Sequence, residues 1–244
     1  DQEAVQEFKR ELGLPPLSIE EKVEFIADSH YYYDVLSQYT KAQITELLQF
    51  VYSYQFEFQS YMAISKFYRD YALKTDDKEQ ILETYEDRIV MVALCLAQGD
   101  ARKAEDFAQA MIEQRYQPAT PTFLNAGKAR RGEMVSCYLL ELDDSLNSIT
   151  YNLSTAMQLS KLGGGIALNL SKLRSRGEEI KGIANASSGI MPVAKMLEDA
   201  FSYVNQLGQR KGAGAAYINI FHWDAEELLD CKKINADEKS RLQT

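Results

Sequence analysis

The stretch "EMVSCYLLELDDSLNSITYNLSTAMQLSKLGGGIALNLS", residues 133–171, holds a short apolar segment, an amphipathic segment several helical turns long and a second short apolar segment. It reads as strand, helix, strand, with the helix running from Leu146 to Leu162 and capped by Asp144 or Ser145. The same alternation continues downstream. "SSGIMPVAKMLEDAFSYVNQLG" predicts a helix from Ile190 to Leu207, with Pro192 tolerated in its first turn and Gly208 closing it. "GAAYINIFHW" reads as another strand, and Asp224 with Glu227 has capping-box spacing ahead of "AEELLDCKK". Strand and helix in strict alternation are the rhythm of an α/β fold, a mostly parallel sheet or barrel wrapped by helices.

Upstream the texture is different. "SIEEKVEFIADSHYYYDVL" opens on a capping box from Ser18 to Glu21, and "TELLQFVYSYQFEFQSYMAISKFYRDYAL" is apolar and aromatic enough for at least one helix. "TYEDRIVMVALCLAQGD" predicts an apolar helix stopped at Gly99, with Asp100 capping the next, "ARKAEDFAQAMIEQRY". Two prolines follow in "QPATPTFLNAG". The expected organisation is a helical domain over residues 1–117 and an α/β domain over 118–244.

Composition narrows the function. The chain has 244 residues, is 45% hydrophobic and carries a formal net charge of -9, enough to bury a core but poor in the lysine and arginine that grip nucleic acid by displacing counterions. No run of about eighteen apolar residues occurs, and the acidic opening lacks the layout of a secretion signal, so a cytoplasmic protein with no membrane partner is expected. Three cysteines far apart in sequence and two histidines give neither a disulfide framework nor a metal-ligand spacing.

Few stretches could carry chemistry. The glycines 163–165 follow a helix instead of preceding one and lack a P-loop ending, so they are either a helix stop or a place for close backbone approach. "NQLGQRKGAGAAY" offers Arg210 and Lys211 between glycines, a loop that could order around a phosphate or equally remain a solvated turn. "SKLRSRGEEIKG", with Arg174 and Arg176, is a second charged loop, of a kind most often merely solvated. Cys95 sits on an apolar helix face as filler. Cys231, beside two lysines, reads as a surface thiol. Cys137 interrupts an apolar strand, and its position alone leaves filler and chemical group both open.

Taken together, "QPATPTFLNAGKARRGEMVSCYLLELDDSLNSI", "LSKLGGGIALNLSKLRSRG" and "SSGIMPVAKMLEDAFSYVNQLGQRKGAGAAY" resemble the large subunit of aerobic ribonucleotide reductases, most closely the bacterial class Ib form. The resemblance extends through "LAQGD" and the closing "NADEKSRLQT"; the early start, with about ten residues before the first helices and no separate regulatory cone, also fits class Ib. It implies a helical domain followed by the first strands and helices of a ten-stranded α/β barrel, incomplete in this chain. The implied reaction is reduction of ribonucleoside diphosphates to deoxynucleotides by thiyl-radical chemistry, under allosteric control by deoxynucleoside triphosphates or ATP.

Residue by residue, the resemblance implies that Cys137 is half of the redox-active cysteine pair. Thr120, Ser136 and Gly165 match substrate-contacting positions. Asp144 and Arg174 match effector-binding positions, and Gln206 and Arg210 lie in the loop that reports which effector base is bound. The helices Leu146–Leu162 and Ile190–Leu207 match those that pair across a homodimer, although packing within the chain would need the same apolar faces. Implied partners are a second large subunit, a small subunit whose dimetal centre (Mn or Fe) generates the radical, and a glutaredoxin-like or thioredoxin reductant; no metal is implied in this chain. The family's radical cysteine, the partner of Cys137, the radical-transfer tyrosines and the carboxy-terminal cysteine pair match nothing here. The residues given are therefore expected to be inactive alone. Two other readings stand beside this one: an effector-binding and dimerisation module without catalysis, and an unrelated helical scaffold whose glycine loops are only turns.

Overall fold

A computed structural model describes residues 1–130, 132–162, 164–206, 210–233 and 242. The chain divides into two compact units, Asp1–Met134 and Val135–Thr244.

The first unit is helical: α1 (Gln2–Leu12), α2 (Ile19–Asp28), α3 (Lys41–Tyr52), α4 (Tyr61–Asp70), α5 (Tyr85–Ala97), α6 (Ala101–Ile112) and α7 (Thr120–Asn125). Its ends are set by side chains of the expected kind. Ser18 accepts from the Glu21 amide while the Glu21 carboxylate accepts from the Ser18 amide, and Thr40 with Gln43 and Thr84 with Asp87 repeat the arrangement. Asp100 accepts from the Lys103 amide. Each such cap stabilises its helix by about 1 kcal/mol.

Three expectations for this unit change. The opening residues are themselves the helix α1, which buries Val5 and ends at Gly13 in the left-handed conformation. The helix begun at Ser18 stops at Asp28, because the tyrosines that follow are used for tertiary contacts: Tyr32 pairs with Lys128 in an isolated bridge and its hydroxyl donates to Glu83 at 2.7 Å. The left-handed stop of α5 begins at Gln98, one residue before Gly99. Around α5, whose residues Ile89 to Leu94 are almost wholly buried, the aromatics Phe56, Phe58, Phe67, Tyr85 and Phe123 stack edge to face and side by side. The unit extends past the change of texture at Pro118 because Phe123 and Ala126 are part of this core and Met134 packs against it.

The second unit alternates as its sequence does: β1 (Cys137–Glu141), α8 (Leu146–Lys161), β2 (Gly165–Asn169), α9 (Met191–Tyr203), β3 (Asn205–Gln206), β4 (Arg210–Lys211), β5 (Gly214–Tyr217) and α10 (Ala225–Asp230). β1, β2 and β5 form a three-stranded parallel sheet in that order, with Cys137 opposite Gly165 and Ile166 opposite Gly214. Ile166 and Leu168 point into a second core with Ala156, Leu197 and Phe201. Strand period forces their neighbours onto the other face, which carries Cys137, Leu139, Glu141, Ala167 and Tyr217, with Leu139 80% exposed.

Here too the structure corrects local readings. Of the two candidate caps of α8 it is Ser145 that serves, accepting from the Ser148 amide. α9 ends at Tyr203, where Val204 turns extended, because the chain enters β3 and pairs with β4 in a two-stranded antiparallel ribbon. Leu207 and Gly208 lie outside the described residues, as do Gly163 and nearly all of "NADEKSRLQT". Asp224 precedes α10 but makes no cap hydrogen bond, because its carboxylate is engaged by the backbone amides of Arg176 and Ile190.

Candidate functional site

Cys137 is an exposed free thiol at the amino end of β1. It is not core filler: the strand turns Tyr138 and Leu140 toward the second core and leaves Cys137 on the uncovered face. Its neighbour across the ladder, Gly165, donates its amide to the Ser136 carbonyl at 2.8 Å. A Cβ on Gly165 would stand 3.4 Å from that same oxygen, and one on Gly164 would be 2.3 Å from the Tyr138 ring. Of the two readings of this glycine run, close approach therefore holds at Gly164, whereas a Cβ on Gly165 would make only an ordinary contact. Bare backbone at Gly164 lets the start of β2 come up against the Tyr138 ring.

Thr120 belongs to the first unit. It is the first residue of α7, and its hydroxyl lies 3.3 Å from the Tyr71 hydroxyl. It lines a cavity of about 450 Å³ with Phe56, Phe58, Tyr85 and Phe123.

At the carboxyl ends of the strands a groove of about 660 Å³ runs over Leu139, Ala167 and Tyr217. A polar chain borders it: the Asn219 amide donates to Ser171 Oγ at 2.8 Å, Ser171 Oγ to Asn169 Oδ1 at 2.6 Å, and Asn169 Nδ2 to Glu141 Oε1 at 3.3 Å. Lys172 joins Glu141 and Asp143 at 3.0 and 3.2 Å, and its hydrogen bonds, first to Glu141 and then to Asp143, raise its pKa.

Asp144 and Arg174, far apart in sequence, are brought together. Arg174 Nε donates to Asp144 Oδ2 at 2.7 Å and the Arg174 amide to Oδ1 at 3.3 Å, while a terminal guanidinium nitrogen donates to the Glu179 carbonyl. The backbones of Gln206 and Arg210 are register partners in the β3–β4 ribbon. α8 and α9 pack on each other and on the sheet, using the apolar faces the sequence offers, yet leave Leu146, Tyr151, Met196 and Tyr203 exposed.

Two cysteines are outside this site. Cys95 is partly buried against the helical core, as its helix face suggested. Cys231 is buried in the second core, not a surface thiol, and burial raises its pKa despite Lys232. Sequence reasoning missed Tyr71, His222 and Asp224; the one available signal, the spacing of Asp224 and Glu227, pointed to a cap that does not form. Among the described residues no cluster of histidine, cysteine and carboxylate groups suits a metal ion, and no helix is long and apolar enough to cross a membrane.

The model of the ribonucleotide reductase all-alpha domain matches residues 57–131, and that of the ribonucleotide reductase barrel domain matches residues 135–244. The chain belongs to the ribonucleotide reductase large-subunit family. It is 54% identical to the ribonucleoside-diphosphate reductase subunit alpha of Bacillus subtilis (strain 168) over 93% of this chain and 33% of that protein. It is 54% identical to the nrdEB subunit alpha of Bacillus phage SPbeta over 93% of this chain and 21% of the relative. With the subunit alpha of Mycoplasma genitalium the identity is 47% over the whole of this chain and 34% of the relative. The chain thus spans between 21% and 34% of the length of these relatives.

Proposed function

We propose that this chain is the amino-terminal part of the large subunit of a class Ib ribonucleoside-diphosphate reductase. The reaction converts a ribonucleoside diphosphate and two thiols into the 2'-deoxynucleotide, a disulfide and water. A thiyl radical takes the ribose 3'-hydrogen, the 2'-hydroxyl leaves as water, the cysteine pair supplies two electrons and two protons, and the 3'-hydrogen returns. Cys137 is one of that pair; its partner and the radical cysteine correspond to nothing in these residues, so this chain alone is inactive. Thr120, Ser136 and Gly165 contact substrate. The radical comes from a small subunit with a dimetal centre, and a glutaredoxin-like protein or thioredoxin re-reduces the pair.

The observation that carries this reading is the register that sets the exposed thiol of Cys137 opposite the bare backbone of Gly165. A nucleophilic or redox thiol must meet its substrate from a rigid support, and a strand paired along its full length provides one.

Asp144 and Arg174 bind the specificity effector, a deoxynucleoside triphosphate or ATP; Gln206 and Arg210 report its base; and α8 and α9 pair with a second large subunit. Their joined side chains support the first of these assignments. Calorimetry with deoxythymidine triphosphate tests it. Binding by wild type and weakening by about tenfold in Asp144→Ala, the loss of a hydrogen bond to a charged group, is the expected result. An unchanged titration in Asp144→Ala refutes the assignment.

A further inference from the structure

We propose that His222 and Asp224, in the turn between β5 and α10, are positioning residues for the effector site, holding the backbone that carries Arg174. This rests on the assignment of Asp144 and Arg174 to that site.

Arg174 sits in the connection between β2 and α9, a segment with no helix or strand of its own from Leu170 to Ile190. Such a segment needs hydrogen bonds from elsewhere to hold one conformation. The turn at 219–224 provides them. His222 Nδ1 accepts from the Asp224 amide at 3.1 Å, which leaves the ring proton on Nε2, and Nε2 donates to the Leu173 carbonyl at 2.7 Å. The Asp224 carboxylate, in a residue only 5% exposed, accepts from the Arg176 amide at 3.0 and 3.1 Å and from the Ile190 amide at 3.1 Å. Leu173, Arg176 and Ile190 are thereby held by two side chains two residues apart. Arg174 is enclosed between the first two of these anchors.

Three further observations show that the arrangement is built and not incidental. Gly189 has φ +77°, and a Cβ there would come within 2.5 Å of Asp224 Oδ2 and 3.0 Å of the Arg176 amide nitrogen, so the approach requires glycine. The Arg176 guanidinium pairs with Glu227 of α10 at 2.6 and 3.3 Å. The carboxylate of Asp224 forgoes its own helix cap to reach these amides. The same turn also follows β5, the strand after the ribbon that contains Gln206 and Arg210. One support thus bears on the effector contact and lies one strand beyond the segment that reports it.

The test is effector titration of the complete large subunit with deoxythymidine triphosphate by calorimetry, with thermal melting as a control for folding and steady-state KM for substrate measured at saturating effector. His222→Ala is expected to weaken effector binding roughly tenfold, the loss of a part-buried hydrogen bond on either side of the ring, with the substrate KM unmoved. His222→Gln, whose carboxamide can donate to the Leu173 carbonyl, recovers most of that loss. A folded His222→Ala with wild-type effector affinity overturns the inference even if its melting temperature falls, because that is the behaviour of a merely structural residue. Should His222→Ala fail to fold, Asp224→Asn is read in its place by the same criteria. Weakened binding in Asp144→Ala with none in the His222 variant sinks this inference alone; absence of binding by wild type sinks it together with the effector assignment.

Discussion

Cys137 and Gly165 face each other across the parallel ladder of β1 and β2, and the amide of Gly165 is bonded at 2.8 Å to the carbonyl of Ser136, the residue before the thiol. The thiol is thus fixed by backbone pairing and not by side-chain packing, and substitutions of its sulfur should leave the fold untouched.

Cys137→Ser in the complete enzyme is accordingly expected to abolish multiple turnover with a dithiol reductant while leaving effector affinity at the wild-type value. A hydroxyl cannot form the disulfide that the reaction requires. Steady-state assay and calorimetry on one preparation check it, and normal turnover would remove Cys137 from the redox pair.

Gly164→Ala acts through packing. The new Cβ would stand 2.3 Å from the Tyr138 ring, and relief requires the ring or the strand to shift, at a cost of about 1–3 kcal/mol. Urea denaturation of the variant should show a midpoint lowered accordingly. A wild-type midpoint would mean that Tyr138 moves aside freely.

In the helical unit, Arg88 and Glu83 are wholly buried side chains 3.3 Å apart, and Glu83 also accepts from Tyr32 and from the Leu73 amide. Glu83→Gln leaves the guanidinium without its counter-charge. A loss of about 3–5 kcal/mol is expected, read from the first unit's unfolding by denaturant; a loss below 1 kcal/mol would show that the pair is dispensable.

Lys128 makes stability depend on pH. Burial holds its pKa down at about 8, against 10.5 for a free side chain, while its ammonium donates to the Tyr71 carbonyl at 2.8 Å. Below the folded pKa the ammonium is charged in both states, and its burial penalty is present in full. Between the two values the unfolded chain binds more protons than the folded one, so this group's contribution rises with pH from 8 toward 10. The raised tyrosines, Tyr52 among them through burial, oppose it only above their ordinary value of 10. Chemical denaturation across pH 7 to 10 should show the rise, and Lys128→Met should flatten it.

Much of this was legible from local pattern alone. Period and caps determined α2, α6 and α8, because a Ser or Asp side chain three residues from its amide needs nothing distant to bond, and an apolar run with its glycine stop determined α5; α3 was legible only as part of a long apolar and aromatic stretch. The alternation of short apolar strands with amphipathic helices determined the parallel class of the sheet, and the combined motifs determined the family. What the tertiary structure alone decided was which face each strand presents and where each polar group finds its partner. Cys137 was filler or chemistry until β1 turned Tyr138 and Leu140 inward; Cys231 looked exposed until the second core closed over it. Asp224 had the spacing of a helix cap, but the amides of Arg176 and Ile190, distant in sequence, offered a buried carboxylate more hydrogen bonds than its own helix could, and a buried charge takes the environment that satisfies it most fully.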